Sequence, residues 1–324
     1  VTGTETEILV LGASTIRLAT PLFLAAIAGI FAERAGVADL GLEGKILVGA
    51  FAGAAIAAVT GSAGLGAFAA MAAAISFSML HGYATVWRPG DQIISGIALN
   101  IIAAGLVPTL AYALFPLGGV TPRLSGSARL SGLELPFAHS AAQIGAIGRF
   151  YASSLSGHNP LIYAAMLLAP LSMLALYGTG WGLRLRAVGE NPEAVASAGH
   201  SVVALRFQAL MVNGALSGLA GAYLSLAANA GYSRDMSAGK GYLAIAALIL
   251  GRWKPWPTLG ACALFAATDA LQGRLQGVEF PWLGIIPAPW ITALPYIVTV
   301  VVLAVTGRGA AMPKALGIPF SRAR

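Results

Sequence analysis

Nine stretches of this chain are long and apolar enough to cross a lipid bilayer, or nearly so. They are 8–30, 45–60, 63–86, 93–115, 161–178, 204–228, 240–251 with its flanks, 258–276 and 289–306. A transmembrane helix needs about 20 mostly apolar residues. In hydrocarbon the backbone has no water to bond, so each stretch must be helical. The stretches at 45–60 and 240–251 are short for full spans and are expected to be broken or re-entrant. Composition agrees: 10% of the 324 residues are charged and 57% are hydrophobic, where a soluble domain carries about 25% charged residues. The predicted fold is an all-α polytopic integral membrane protein. It has about eight to ten transmembrane helices in a single transmembrane domain over 1–324.

Orientation follows from the basic residues, which concentrate in cytoplasmic loops. With the polar loop 181–203 placed in the cytoplasm, twelve Lys and Arg fall on that side: Arg34, Lys45, Arg88, Arg184, Arg186, Arg206, Arg252, Lys254, Arg308, Lys314, Arg322 and Arg324. Six fall outside: Arg123, Arg129, Arg149, Arg234, Lys240 and Arg274. Arg17 lies within the first span. The segment 116–160 becomes a long external loop, and 307–324 a cytoplasmic tail. Residues 138–155 of the loop have the pattern of an amphipathic surface helix, and His139 and His158 are expected to be solvated. The net charge of +7 reflects this distribution rather than nucleic-acid binding. The lone Cys262 excludes an intrachain disulfide and is read as a packing residue. The 41 glycines suit helices that approach closely in lipid.

The longest polar break in the second half encodes a short helix with marked ends. Asn191 is a good N-cap and Pro192 is tolerated at the first helical position. Glu193 places negative charge in the first turn, and Gly199 supplies a left-handed stop. Ala194, Val195 and Ala198 should share a face. Such a helix is either a capped surface element or a docking element that receives force from a soluble partner.

No catalytic constellation appears. Lys45 and Lys240 follow glycines but lack the spacing and the Ser/Thr of a phosphate-binding loop, so ATP hydrolysis by that route is excluded. Neither a metal site nor a cofactor is indicated. Polar residues within spans are sparse: Arg17, His81, Asn100, Gln208, Asn213 and Asp269. Buried polar groups in lipid are costly and face a partner or a cavity. Asn100 and Asn213 suit a neutral polar solute, or else bond between helices. With Glu43 and Ser95 they form the candidate pathway set, although Glu43 has Arg34 and Lys45 as alternative partners. The stretches beginning at Asp39 and Asp235 both carry Gly-Lys and both open a short apolar run. They are candidates for an inverted repeat with interrupted helices pointing at a central pathway.

Six ordered motifs then resemble one family. They are Thr15-Ile-Arg-Leu-Ala-Thr-Pro-Leu, Glu33-Arg-Ala-Gly-Val-Ala-Asp-Leu-Gly-Leu-Glu-Gly, Asp91-Gln-Ile-Ile-Ser-Gly-Ile-Ala-Leu-Asn, Arg186-Ala-Val-Gly-Glu-Asn-Pro-Glu-Ala, Asn213-Gly-Ala-Leu-Ser-Gly-Leu-Ala-Gly-Ala and Gly251-Arg-Trp-Lys-Pro. Together they resemble the inner-membrane permeases of ABC importers for nucleosides and simple sugars, relatives of the ribose and branched-chain amino acid permeases. The resemblance covers roughly 10–306 and is nearer the nucleoside branch. It implies a bacterial inner-membrane subunit that works with ATPase subunits, a second permease (paralogue or self), an external solute-binding protein and membrane lipid. It also implies that Gly189, Glu190, Asn191, Pro192, Glu193, Ala194, Ala198 and Gly199 form the coupling segment to the ATPase. The chain departs from the family pattern at Asp39 and Lys45, where many relatives have Asn and Met. The alternative class is a secondary transporter or channel acting without an ATPase.

Overall fold

The computed structural model describes residues 3–277, 279–280, 284–306 and 312–320. Of the expected tail, 307–311 and 321–324 lie outside the described residues. All nine predicted stretches are helical. Six have the length and apolarity of full spans: Glu7–Arg34, Leu42–Thr60, Ala63–Trp87, Gln92–Leu114, Pro160–Gly178 and Val202–Ala228. They are built on α1 (Gly3–Arg34), α2 (Leu42–Thr60), α3 (Ala63–Gly82), α4 (Gln92–Leu114), α7 (Pro160–Met173) and α10 (Val202–Ala222). Three of these spans close with a π-helical turn: Tyr83–Trp87, Leu174–Gly178 and Tyr223–Ala228.

The remaining predicted stretches are shorter or more polar. They are α11 (Lys240–Leu250), α12 (Pro255–Leu275) and the pair α13 (Ala288–Thr292) and α14 (Leu294–Thr306). A two-residue antiparallel pairing of Glu279–Phe280 with Gly284–Ile285 interrupts an otherwise helical chain. In the 116–160 loop the expected surface helix over 138–155 is broken. Gly145 adopts φ +61° and separates α5 (Ala138–Ala142) from α6 (Gly145–Phe150). A left-handed residue cannot continue a right-handed helix.

The core is assembled from α1, α2, α3 and α10. Helix α10 carries Gly214, Gly218 and Gly221, and these explain how closely it fits. A Cβ at Gly214 would lie 2.5 Å from the Ile75 backbone, and one at Gly218 2.5 Å from the Ala70 carbonyl oxygen. At Gly221 it would lie 2.3 Å from the Ile46 carbonyl. The Gly-x-x-x-Gly face is thus pressed against α3, with Gly221 on α2, as small residues permit in lipid. One sequence motif is thereby accounted for by backbone contact.

Two non-helical segments position the site. Residues 35–41 leave the end of α1 and lie along the first turns of α4, where the Ala38 N–H donates to Gln92 Oε1 (2.6 Å) and Asn100 Nδ2 donates to the Leu40 carbonyl (2.8 Å). Asn100 is eight residues into α4, about 12 Å from its start at 1.5 Å per residue. Helix α2 therefore begins well inside the molecule. Residues 229–239 arrive from the opposite end, tied to the 116–160 loop by Tyr232 N–H to Thr121 Oγ1 (2.9 Å) and Leu124 N–H to the Ala230 carbonyl (2.9 Å). They deliver α11, whose 11 residues extend only about 16 Å. Helices α2 and α11 begin side by side: a Cβ at Gly241 would be 2.4 Å from Glu43 N. The two stretches that are similar in sequence are the ones that meet.

Candidate functional site

The junction of these two helix starts sets several polar groups among apolar ones. Glu43, in the first turn of α2, accepts N–H bonds from Gly239 (2.8 Å) and Gly241 (2.6 Å). Its carboxylate thus satisfies two amides at the positive end of α11, where an anion is favoured. The expected alternative partners Arg34 and Lys45 are engaged elsewhere. Arg34 donates to the Trp253 carbonyl (3.0 Å) and Tyr177 OH (3.1 Å). Lys45 forms a fully buried ion pair with Asp39 at 2.6 Å. The two charges, Asp39 and Lys45, are therefore each other's partner.

Behind that pair lies a closed network. Lys45 Nζ also donates to Asn213 Oδ1 (2.8 Å), as does Ser78 Oγ (2.7 Å), while Asn213 Nδ2 donates to the Ala28 carbonyl (3.0 Å). His81 bonds Ser95 Oγ and the Ala38 carbonyl through its two ring nitrogens, each at 3.0 Å. Asn213 is wholly buried, and its amide is spent on protein groups. Among the expected pathway residues, Asn213 and Ser95 thus belong to this interior network. Asn100 and Glu43 instead face an open cleft of about 370 Å³, shared with Asp235, Ser237 and Tyr242. Asn100 is fixed in the wall by its bonds to Gly44 N (2.8 Å), the Leu40 carbonyl and Tyr242 OH (3.0 Å). Tyr242 had no signal in the sequence, because nothing in a short apolar run marks the residue that turns toward a cleft.

At the opposite end of α7 from the 116–160 loop, the polar break 181–203 forms two helices, α8 (Gly180–Glu190) and α9 (Pro192–Ser197). The caps are those expected. Asn191 Oδ1 accepts the Ala194 N–H (3.0 Å), Pro192 opens the helix and Gly199 has φ +82°. Two expectations are corrected. Val195 does not share the outer face with Ala194 and Ala198; it is buried with Val188, Val202 and Leu205 and holds α9 to the body. Gly189 is buried as well. A Cβ there would be 2.2 Å from the Arg34 carbonyl oxygen, so it is a close-packing residue rather than a surface contact. Glu190, Asn191, Glu193, Ala194, Ala198 and Gly199 are exposed, and Pro192 is half-buried.

Sequence reasoning missed what braces this end. Arg206 is fully buried and donates to the Ala35 carbonyl (3.2 Å) and the Ile318 carbonyl (3.4 Å). The Ala315 N–H donates to the Gly189 carbonyl (2.8 Å). Trp253 Nε1 donates to Glu33, which ties the α11–α12 turn to the end of α1. The motifs beginning at Glu33, Arg186 and Gly251 therefore converge at one end of the molecule.

At the other end, Arg17, Arg123 and Arg129 line one basin of about 760 Å³, together with His158 and Asn159. His158 is not solvated as expected. It is buried and bonds the Ser154 carbonyl through Nε2 (2.8 Å), and this burial pushes its imidazole below the ordinary value. His139 is exposed, 3.6 Å from Glu134. Among the described residues no cluster of His, Cys, Asp and Glu could hold a metal ion.

Interrupted helices, a hydrogen-bonding cleft between them and a braced helix at one end define a multi-pass membrane permease. Residues 12–303 match the family described as branched-chain amino acid transport system / permease component, and the chain belongs to that family. It is 31% identical over 322 residues to the nucleoside ABC transporter permease protein NupC of Lactococcus lactis subsp. cremoris, covering 96% of each chain. It is 32% identical over 324 residues to the guanosine ABC transporter permease protein NupQ of Bacillus subtilis, again 96% of each. A third relative, the putative glucose ABC transporter permease protein TsgC13 of Haloferax volcanii, is 31% identical over 315 residues, 90% of this chain and 89% of its own. No solved structure gives a match.

Proposed function

We propose that this chain is the membrane subunit of an ATP-driven importer and forms one wall of the pathway for a nucleoside or simple sugar. The observation that carries the reading is the cleft at Glu43, Asn100 and Tyr242. It presents the Tyr242 phenol, held in place by Asn100, and the remaining acceptor capacity of Glu43 to a neutral hydrogen-bonding solute where the two helix starts meet. The names of the relatives support the same class of solute. Ile97 and Ile101 of α4 border the cleft, and they belong to an exposed apolar row with Ile93 and Ile94. A second permease covering this row would close the cleft into a channel.

The chain has no phosphate-binding loop, so ATP is hydrolysed on partner subunits. Ala194, Ala198, Glu190 and Glu193 are exposed at the braced α8–α9 end, which suits them to meet the ATPase. The basin of Arg17, Arg123 and Arg129 suits acidic side chains of an external solute-binding protein.

The test is uptake by the complete transporter in proteoliposomes. Replacing Asn100 with Leu frees Tyr242 and the α2 start from the cleft wall and should raise the KM at least tenfold while assembly with the ATPase stays intact. Asn213→Leu should instead reduce the amount of assembled permease, because it strips Lys45 and Ser78 of their acceptor. Wild-type KM for Asn100→Leu would overturn the pathway assignment.

A further inference from the structure

A second cavity, of about 410 Å³, lies on the other side of the α11 start, between α1, α11, α12 and α14. Its polar groups are Lys240, Asp269, Gln272, Thr292 and Tyr296, and Phe265 contributes to its apolar wall. Lys240 is the first residue of α11, about 16 Å from the turn that joins α11 to α12. Asp269 is 14 residues into α12, about 21 Å from the same turn. The hairpin therefore brings both charges to a similar depth, so that Lys240, expected in an external segment, sits in a cavity among the helices instead. Among the described residues the ion pairs within 4.0 Å are Lys45–Asp39 and His139–Glu134. Lys240 and Asp269 face the same cavity without closing on each other.

Ionisable residues at such depth are costly and mark pathways or partners. This chain shows the contrast within itself: Asp39 and Lys45 are neutralised by direct contact, while the second pair is held open. Opposite charges leave the cavity without net charge, which disfavours an ion and favours a neutral ligand. An ammonium and a carboxylate flanked by an amide and two hydroxyls complement a ring of hydroxyl groups, each of which both donates and accepts. The Phe265 side supplies an apolar surface for the ring's C–H face.

We propose that this cavity is a second contact site for the transported solute, binding the hydroxyl-bearing ring of a sugar or nucleoside between Lys240 and Asp269. The site rests on the reading that the solute is neutral and polyhydroxylated. It lies one residue from Gly239 and Gly241, whose amides Glu43 holds. Solute at either cavity thus bears on the same helix start.

The experiment uses the assembled transporter in proteoliposomes, with radiolabelled guanosine and glucose as probes. Asp269→Asn and Lys240→Met should each raise the KM for the transported probe at least tenfold. The charge-swapped pair Lys240→Asp/Asp269→Lys should not recover it. Recovery by the swap would make the two residues a structural ion pair and overturn the site. A wild-type KM in both single variants would overturn the site and leave the solute class standing. Uptake of neither probe by the wild type would overturn the solute class and the site with it.

A measurement on the wild-type complex covers the case in which the variants fail to assemble. A hydrophobic carbodiimide should modify Asp269, located by peptide mass spectrometry, and the transported probe should slow that modification at least threefold. Modification at an unchanged rate in saturating probe would overturn the proposal.

Discussion

At the residue scale the Asp39–Lys45 pair is the sharpest lesson. A buried ion pair is weak evidence for stability, but breaking it leaves an uncompensated charge. Lys45→Met alone strands Asp39 and should destabilise the permease by about 3–5 kcal/mol. Asp39→Asn with Lys45→Met leaves two uncharged residues in place of the pair, and most of the loss should return. Thermal unfolding of the purified membrane protein checks this; equal losses in the single and double variants would refute the pairing. The sequence showed both charges and their place near an interrupted helix, yet not that they neutralise each other. The five positions between them fold into a turn followed by the first turn of α2, and only that geometry closes the 2.6 Å contact. Asn213 was misleading for the same reason. A neutral polar residue within a span is either a solute contact or an interhelical bond, and composition does not distinguish them. The acceptor role toward Lys45 and Ser78 does.

At the element scale, α9 was legible almost in full because capping is local chemistry. Asn191, Pro192 and Gly199 act on their own backbone, so the signals survive without knowledge of the fold. Which face looks outward was not legible, since that depends on what α9 packs against. The structure separates the roles, and two substitutions should separate in consequence. Val195→Ala empties a buried contact with Val188, Val202 and Leu205 and should loosen α9 on its base, lowering permease stability by about 1 kcal/mol or more. Ala194→Trp lies on the exposed face; it should leave stability unchanged and instead overfill the ATPase contact, an overpacking cost of about 1–3 kcal/mol. Co-purification with the ATPase and stimulation of its hydrolysis report the second effect. Unchanged association and uptake in Ala194→Trp would move the coupling surface elsewhere, to 87–92 or 251–257. The amphipathic helix expected over 138–155 failed because Gly145 sits where the chain turns left-handed, and a glycine inside an otherwise periodic run does not announce its φ.

At the scale of the whole molecule, the distribution of charge and the packing point to one orientation. The ends of α1, α8, α11 and the 312–320 segment meet around Arg206, Arg34 and Trp253. The 116–160 loop and the 229–239 segment meet at the other end. Of the basic residues that run against the cytoplasmic bias, Arg123 and Arg129 join Arg17, from the first span, around one basin. With the Arg206 end in the cytoplasm, Ser197 on α9 and Ser131 beside the arginine basin lie on opposite sides of the membrane. Both are exposed, and the native Cys262 is buried, so a Cys262→Ala background should tolerate single reporters. In sealed right-side-out vesicles an impermeant maleimide should label Ser131→Cys and leave Ser197→Cys unlabelled until the membrane is permeabilised. Labelling of Ser197→Cys from outside would invert the molecule. The ATPase would then have no surface on this chain at the α9 end, and the arginine basin would face the cytoplasm. Equal labelling of both positions in sealed vesicles would refute the separation of the two ends by α7, on which the proposed pathway through the α2–α11 junction depends.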